Sequence, residues 1–211
     1  MTKQTPPAKK PSRIQTRNRK MILDAALEVF SRHGYRGTTL DQIAAEAGIS
    51  KPNILYYFDG KEDIHVTLLN RLMESWLDPM IKLDAAGDPR SEILSYVQRK
   101  LDMARDLPQE SRLFAGEILQ GAPRMSPHLE RHLKPLFDEK CALIQRWIDQ
   151  GALPPLDPQH LIFSIWATTQ HYADFDAQVQ VLASHANDTH AQASAHLAQM
   201  FGALLALPKS P

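Results

Sequence analysis

The sequence has little cysteine: Cys141 is the only one among 211 residues. A single thiol can form neither a disulfide within the chain nor a multi-cysteine zinc site, which is typical of a protein in the reducing cytosol. No run of about eighteen apolar residues occurs, and the basic N-terminus has no apolar segment behind it. We therefore expect a cytoplasmic protein with neither a membrane span nor a secretory signal, and no contact with a membrane.

Strand-like alternation of apolar and polar residues is also missing. Apolar residues instead recur at helical spacing, and 43% of the residues are hydrophobic, which is enough for a substantial core. The sequence predicts an all-α fold with about nine helices. Beyond residue 88 the predicted segments are 89–106, 108–120, 127–150, 158–175 and 189–206, three of which begin with a capping side chain followed by a first-turn proline.

Signals for catalysis are lacking as well, since no glycine-rich phosphate loop and no activated serine or cysteine nucleophile is indicated. His128 and His132 are spaced i, i+4 and could bind a metal from one helical face, but no acidic general base lies between them. A solvated face explains them more simply. The sequence predicts no enzyme, no cofactor and no metal; a helical metal-dependent enzyme using His128, His132 or His160 is the alternative that metal analysis would test.

The formal net charge is zero, but the charges are unevenly distributed. Residues 1–36 contain nine Lys or Arg against Asp24 and Glu28, a balance of 9 − 2 = +7, so the remainder carries 15 − 22 = −7. Such asymmetry suggests a polyanionic partner for the basic end, although a basic tail can also be a solubilising arm. Residues 1–13, rich in proline and basic residues, are predicted to be a disordered basic arm.

A helix-turn-helix is predicted in the segment that follows. A first amphipathic helix ends at Gly34, and a short second helix begins with the capping-box pair Thr39 and Gln42 and ends at Gly48. Ser50 caps a third helix, with a proline in its first turn. That helix is too short to be stable alone, and its place after "AGIS" suits a recognition helix that its neighbours hold in the DNA major groove.

The residue types on the third helix suit this interpretation. Residues at the N-terminus of a recognition helix reach base edges, where Lys51 can donate to guanine, Asn53 can pair with adenine and Pro52 can contact a thymine methyl group. Tyr56 and Phe58 are predicted to be core residues.

Phosphate contacts are expected around this helix. Tyr57 can give its hydroxyl to a phosphate, and Lys61 and the threonines Thr38 and Thr39 are expected to contact phosphates near helix N-termini. The alternative is that the aromatic residues form the core of a helical hairpin and Lys51 is simply solvated.

The stretch "GTTLDQIAAEAGISKPNILYYFDGKEDI" resembles the DNA-binding signature of the TetR family of repressors. The resemblance implies a homodimer with a DNA-binding domain at 14–60 and a ligand-binding and dimerisation domain at 61–211. By position, Lys51, Pro52, Asn53 and Leu55 match base-reading places of the family. Thr39, Tyr57 and Lys61 match phosphate-contacting places. Pro52 replaces the usual glycine and Leu55 the usual tyrosine, which leaves the operator sequence open.

The stretches "SRLFAGEILQGAP" and "DPQHLIFSIWATTQHYADF" are similar to the pyrimidine-utilisation repressors of this family, which implies uracil or thymine as the ligand and release of DNA when it binds. Phe163, Trp166 and Gln170 form one helical stripe that offers an aromatic wall and an amide able to donate and accept. Three further side chains are expected to close the same pocket: Trp76, Phe114 and Glu117.

Two alternatives to this pocket stay open. In the first, Phe163 and Trp166 belong to an ordinary core and a backbone carbonyl satisfies Gln170. In the second, the regulator senses a different small planar or apolar ligand.

The last predicted helix is rich in small apolar residues, among them Ala191, Ala195 and Ala198, which suits close helix packing. With the helix after Asp157 it would form a four-helix dimer interface, as the family resemblance implies. The stripe could instead face the core of its own subunit. A two-fold dimer would bind a pseudo-palindromic operator; a scaffold that binds nucleic acids without sequence preference is a further alternative, and competitor DNA would distinguish it.

Overall fold

The computed structural model describes residues 12–183 and 188–207, and no strand occurs in these ranges. The predicted all-α class is confirmed. The helices are α1 (Arg13–Gly37), α2 (Leu40–Ala47), α3 (Lys51–Tyr57), α4 (Lys61–Ile81), α5 (Pro89–Asp106), α6 (Pro108–Leu119), α7 (Ser126–His128), a π-helical turn (Leu129–Leu133), α8 (Lys134–Asp149), α9 (Pro158–Asp174), α10 (Asp176–Leu182) and α11 (Thr189–Leu204). The predicted N-terminal arm lies outside the described residues, apart from Ser12, which caps α1, and Arg13, which begins it.

The chain divides into two compact units between Leu68 and Leu69, inside helix α4. We call the first the head and the second the body. The sequence predicts the boundary at the start of the same helix. None of the helices in the described ranges is long and apolar enough to cross a membrane.

Local signals fix the helix ends in the head. Gly34 interrupts α1 with φ = +65°, a left-handed conformation that glycine adopts without a Cβ clash. Thr39 and Gln42 form the predicted capping box at the start of α2, and Gly48 ends that helix with φ = +65°. The hydroxyl of Ser50 caps α3 by accepting from the backbone N–H of Asn53. The core beneath these helices contains Ile22, Phe30, Ile43, Ile54, Phe58 and Ile64.

In the body, α5 packs against both α9 and α11, and α6 packs against α9. The buried cluster at these contacts includes Ile93, Tyr96, Ile162, Ile165, Leu197 and Phe201. Helix α5 therefore lies at the centre of the body, with α9 covering the face that carries Tyr96.

Two parts of the body differ from the sequence prediction. The predicted helix over 127–150 is divided by the π-helical turn at Leu129–Leu133, directly before Pro135. A proline has no N–H to bond the carbonyl four residues earlier, here that of Arg131, and its ring crowds that carbonyl, so the wider turn relieves the clash. Helix α10 was not predicted, because its seven residues lack an apolar stripe long enough to recognise.

Candidate functional site

The N-terminal part of helix α3 presents an exposed surface formed by Lys51, Pro52, Asn53 and Leu55. Ile54 lies among them but is fully buried and fixes the helix to the head core. The structure therefore brings the four predicted base-reading residues together on the outside of one short helix. This arrangement leaves their side chains available to a partner.

Tyr56 belongs to the same surface, and the prediction that it is a core residue is wrong. Its side chain is 71% exposed, whereas Phe58, predicted as core, is 2% exposed. Ile54 and Phe58 are four residues apart and therefore point to the same inner face of the helix, while Tyr56 lies about 200° around from Ile54. This spacing is the sequence signal that would have assigned Tyr56 to the outside.

Helix α1 holds the C-terminal end of α3 through polar contacts with Tyr57. The amide of Asn18 donates to the hydroxyl oxygen of Tyr57 at 2.8 Å, and the Arg19 guanidinium donates to its backbone carbonyl. The same guanidinium lies 4.2 Å above the ring centroid of Phe58. The Tyr57 hydroxyl accepts from Asn18 and so keeps its own proton for a further acceptor, such as a phosphate oxygen.

Lys61 is tied into the head more firmly than a solvated phosphate-binding lysine would be. Its ammonium donates to the backbone carbonyls of Tyr35 and Thr38, each at 2.8 Å, and lies 4.4 Å from the Tyr35 ring centroid. An ammonium has three protons, so one is left for a phosphate. Lys61 therefore joins the end of α1 to the start of α4 as well as being a predicted DNA contact.

The phosphate contact predicted for the Thr38 hydroxyl needs correction. The side chain of Thr38 is buried, and its hydroxyl donates to the carbonyl of Gly34 at 2.8 Å. Buried in this way, the hydroxyl closes the turn at Gly34 instead of facing solvent. Thr39 is exposed, and its hydroxyl serves the capping box with Gln42.

The body contains a cavity of about 60 Å³ between α4, α5, α6 and α9. Four of the six predicted ligand-binding residues line it: Trp76, Phe114, Trp166 and Gln170. The rings of Trp76 and Phe114 lie against each other with centroids 5.0 Å apart. The structure thus places aromatic walls and one amide around the same small space.

Two residues that sequence reasoning missed, Tyr96 and Lys100, also line the cavity. The indole Nε1 of Trp166 donates to the Tyr96 hydroxyl at 2.7 Å, and the Lys100 ammonium lies 4.1 Å from the Trp76 ring centroid. Both residues are buried on the α5 face that carries Ile93, Val97 and Leu101. A tyrosine and a lysine four residues apart on an otherwise apolar face are the sequence signal that could have identified them.

Burial shifts the ionisation of both residues. It lowers the pKa of Lys100 to about 8, an effect that the negative charge of Asp174 partly offsets. Burial also raises the pKa of Tyr96 well above its usual value, against the hydrogen bond from Trp166. At neutral pH, Lys100 is therefore largely protonated and Tyr96 carries an uncharged hydroxyl.

The remaining two predicted ligand-binding residues do not line the cavity. Glu117 is buried, and its carboxylate accepts a hydrogen bond from the backbone N–H of Arg124 at 2.7 Å. The same carboxylate forms an ion pair with the Arg124 guanidinium at 3.4 Å, so Glu117 closes the turn after α6. Phe163 stacks on Phe137 with centroids 5.3 Å apart and lines a separate surface groove.

That groove has a volume of about 490 Å³ and lies along the π-helical turn, α8 and α9. Leu133 and Trp166 line both the groove and the cavity. These two side chains therefore lie between the cavity and the groove.

The histidines offer no complete metal site in the described part of the chain, where no group of three metal-ligating side chains occurs. The rings of His128 and His132 lie 4.3 Å apart, so they face each other as a pair. Burial and the nearby His132 lower the pKa of His128, and Glu74 opposes this shift. The alternative of a metal-dependent enzyme finds no further ligands around this pair among the described residues.

Comparison with known proteins identifies both units. The family of "Bacterial regulatory proteins, tetR family" matches residues 22–66, and the "YcdC-like protein, C-terminal region" matches residues 69–206. The HTH-type transcriptional regulator RutR of Escherichia coli strain K12 is 49% identical over 173 residues, covering 82% of each chain. This chain belongs to the TetR family.

Solved structures of other regulators share the fold. The transcriptional regulator SCO4942 from Streptomyces coelicolor is 24% identical with a TM-score of 0.68, covering 87% of this chain and 97% of that chain. AibR in complex with isovaleryl coenzyme A and operator DNA is 18% identical with a TM-score of 0.69, covering 89% and 98%. At these identities the likeness concerns the fold alone.

The TetR-family assignment gives the chain its general function. The chain is a ligand-responsive, DNA-binding transcriptional repressor and not an enzyme. The match to the tetR regulators lies within the head, and the match to the YcdC-like C-terminal region lies within the body. The predicted family is confirmed.

Proposed function

We propose that this TetR-family regulator represses pyrimidine-utilisation genes and is released from a pseudo-palindromic operator by uracil or thymine. The observation that carries the proposal is the cavity in the body, where aromatic rings surround hydrogen-bonding groups that no described residue satisfies. The similarity of residues 111–123 and 157–175 to pyrimidine-utilisation repressors supports the same ligand class.

The unused groups match the edge of a pyrimidine base. The amide of Gln170 makes no hydrogen bond with the described residues, and the buried Nε1 of Trp76 has no acceptor among them. Uracil is flat and presents two carbonyl oxygens and two N–H groups, so it can stack on an indole and exchange hydrogen bonds with an amide. The alternative in which a backbone carbonyl satisfies Gln170 has no support in the described residues.

The size of the cavity explains how binding would act as a signal. Ligand pockets usually measure about 300–1,000 Å³, whereas this cavity measures about 60 Å³. Binding therefore requires the walls to separate, and the ligand favours the wider arrangement over the narrow one. Trp76, in one wall, belongs to α4, which begins at Lys61 in the head. We propose that this helix transmits the change to the recognition surface.

On DNA, the exposed surface of α3 would enter the major groove. Lys51, Pro52, Asn53 and Leu55 are the proposed base-reading residues, and Tyr56 joins them because its ring is exposed on the same helix. Thr39, Tyr57 and Lys61 would contact phosphates on either side.

A homodimer would present two such surfaces. Helix α9 exposes Phe163, Ala167 and His171, and α11 exposes Ala195 and Leu204, so both helices have unburied faces in this single chain. Pairing these faces around a two-fold axis would bury them and form the predicted four-helix interface. The half-sites would then lie about 34–36 Å apart or at a multiple of that distance.

Calorimetric titration of the purified regulator with uracil and thymine tests this function, with cytosine as the control base. We expect saturable binding of uracil or thymine, and loss of that binding in Gln170→Ala, whose operator affinity should stay unchanged. Addition of the bound base should also lower operator affinity, and by linkage the operator should weaken base binding by the same factor. Equal base affinity with and without operator would overturn the proposed switch.

A second candidate is a repressor that senses a different, more apolar ligand. The observation that favours it is the groove of about 490 Å³, which shares the lining residues Leu133 and Trp166 with the cavity. If these side chains rotated, the two spaces would join and admit a longer compound. Absence of heat with both bases at millimolar concentration would turn the search to such ligands.

A further inference from the structure

Lys100 is a buried cation in the cavity wall. Its side chain is 3% exposed, and among the described residues it makes no hydrogen bond or ion pair, only the contact with the Trp76 ring at 4.1 Å. Burying an ammonium without a hydrogen-bonding partner is costly, and proteins normally compensate such a charge. Lys100 therefore lines the cavity with its hydrogen-bonding capacity unused by the described residues.

The surrounding charges do not neutralise this ammonium directly. Asp174 on α9 attracts Lys100, but its carboxylate accepts a hydrogen bond from the Ser111 hydroxyl on α6 at 2.5 Å. Arg112 and His171 also act on that carboxylate, while burial raises its pKa. Tyr96, on the same helix as Lys100, is uncharged, and the part of α4 that lines the cavity carries no titratable side chain.

The hydrogen-bonding capacity that stays unused around the cavity is mostly that of donors. The Lys100 ammonium, the Trp76 Nε1–H and the Tyr96 hydroxyl proton can all donate, and only the Gln170 amide can both donate and accept. A ligand that fits this set must offer more acceptors than donors. Among these donors, the Lys100 ammonium gains most from an acceptor, because hydrogen bonds that involve a charged group are the strongest.

We propose that Lys100 determines the specificity of the cavity by charge, and that the ligand is a small planar ring presenting an anionic or strongly accepting oxygen to its ammonium group. This inference rests on the proposed function for the role of the cavity as the effector site, and it adds the charge class of the ligand. A uracil carbonyl oxygen meets the requirement. The amino group of cytosine at the equivalent ring position would meet the ammonium with its own donors.

Binding then depends on pH in a defined direction. In the free protein, burial lowers the pKa of Lys100 to about 8. An accepting oxygen favours the charged form, so ligand binding raises this pKa and takes up protons near pH 8. Affinity for a ring that stays neutral therefore falls as pH rises through this range.

The test compares the wild-type regulator with Lys100→Met, which keeps the length of the side chain and removes the charge. Lys82→Met is the matched control, because Lys82 is exposed and its one ion pair with the described residues is with Asp78. Each protein is titrated calorimetrically with uracil, cytosine, 5-fluorouracil, whose ring N–H is more acidic at nearly the same size, and orotate, a uracil carrying a carboxylate. Circular dichroism and operator binding report whether each variant is folded.

We expect Lys100→Met to lose about tenfold to a hundredfold in affinity for uracil, the range for a hydrogen bond to a charged group. Lys82→Met should match the wild type, and both variants should bind operator normally. The wild type should prefer 5-fluorouracil over uracil, and Lys100→Met should not. In buffers of different ionisation heat at pH 8, proton uptake should accompany binding to the wild type and disappear in Lys100→Met.

Other outcomes separate this inference from the proposed function. Uracil affinity within twofold of wild type in a folded Lys100→Met would overturn the inference and leave the pyrimidine function standing. Binding of orotate but not of uracil, with dependence on Lys100 and with no binding of thymine in the titration described above, would support the inference and overturn the pyrimidine-base function. Binding of none of the four compounds to the wild type would overturn both.

Discussion

The head and the body use polar side chains in opposite ways. In the head, Lys61, Asn18 and Arg19 donate hydrogen bonds to neighbouring backbone and side-chain groups. These contacts hold α3, which carries the exposed residues, in place. In the body, Lys100 and Gln170 face a cavity with their hydrogen bonds unused by the described residues. The proposed DNA surface of the head is thus already held in place by contacts within the head, whereas the proposed effector site of the body has hydrogen-bonding groups left for a ligand.

The largest effect is expected from removing the buried side chain that fixes α3 to the head core. Ile54→Ala deletes a fully buried side chain, and we expect it to lower the free energy of unfolding of the head by about 2–5 kcal/mol and to abolish operator binding. Base binding in the body should survive, because the cavity lining contains no head residue. Thermal unfolding and uracil titration measure the two effects.

Leu55→Ala is the matched control, since it removes a similar but exposed side chain from the next position. It should change the free energy of unfolding by no more than about 0.5 kcal/mol. Loss of uracil binding in Ile54→Ala would show that the body cannot function without a folded head, and the comparison would fail.

A second pair of substitutions distinguishes a residue proposed to recognise a base from one proposed to contact a phosphate. Asn53→Ala removes an exposed base-reading side chain, and we expect it to cost about 1–3 kcal/mol on the preferred operator and to relax sequence preference at one position. Lys61→Ala should weaken all duplexes similarly and reduce the salt slope by about one. Fluorescence anisotropy with operator variants over a salt series measures both.

The structure adds a stability effect for Lys61→Ala, because the carbonyls of Tyr35 and Thr38 lose their donor. Asn53→Ala has no such loss, since only its backbone N–H is used in the helix cap. A sequence-selective loss of DNA affinity in Lys61→Ala would show that this lysine reads bases and would reverse the assignment.

Features that depend on neighbours in the sequence could be predicted, whereas features that depend on packing could not. The capping box at Thr39 and the end of α2 at Gly48 follow from local chemistry, and both occur as predicted. The burial of Thr38 depends on packing at the end of α1, where its hydroxyl bonds the carbonyl of Gly34. The exposure of Tyr56, by contrast, agrees with its spacing from Ile54 and Phe58. Apolar periodicity shows which residues share one face of a helix. Packing against the other helices decides which face is buried.

The same limit applies to the cavity. Trp166 and Gln170 could be predicted because they share one helical stripe, and Trp76 and Phe114 because they are aromatic residues on two other predicted helices that could close the same pocket. Tyr96 and Lys100 stand out as polar residues on an apolar face of α5, but their spacing does not show that this face meets the stripe on α9. Glu117 was assigned to the pocket, but its carboxylate is turned towards Arg124. The direction of a buried carboxylate is set by the nearest donor, which sequence spacing does not reveal.

The smallest expected effect concerns the pair formed by Lys51 and Asp41, whose charged atoms lie 3.0 Å apart at the surface of the head. Both side chains are largely exposed, so we expect Asp41→Asn to change the free energy of unfolding by no more than about 1 kcal/mol. Operator affinity should rise a few-fold at low salt, because a negative charge near the phosphates is removed and Lys51 is released. Screening should erase this gain at about 1 M salt, where the Debye length is about 3 Å.

A double-mutant cycle with Lys51→Met isolates the pair from the effect of Asp41 on the N-terminus of α2, where an acidic residue is favourable in its own right. If the pair only holds Lys51 in the free protein, the gain from Asp41→Asn should vanish when Lys51 is already Met. Weaker operator binding by Asp41→Asn would mean the opposite: Asp41 positions Lys51 for its base, and even this exposed contact belongs to the preformed surface that distinguishes the head from the body.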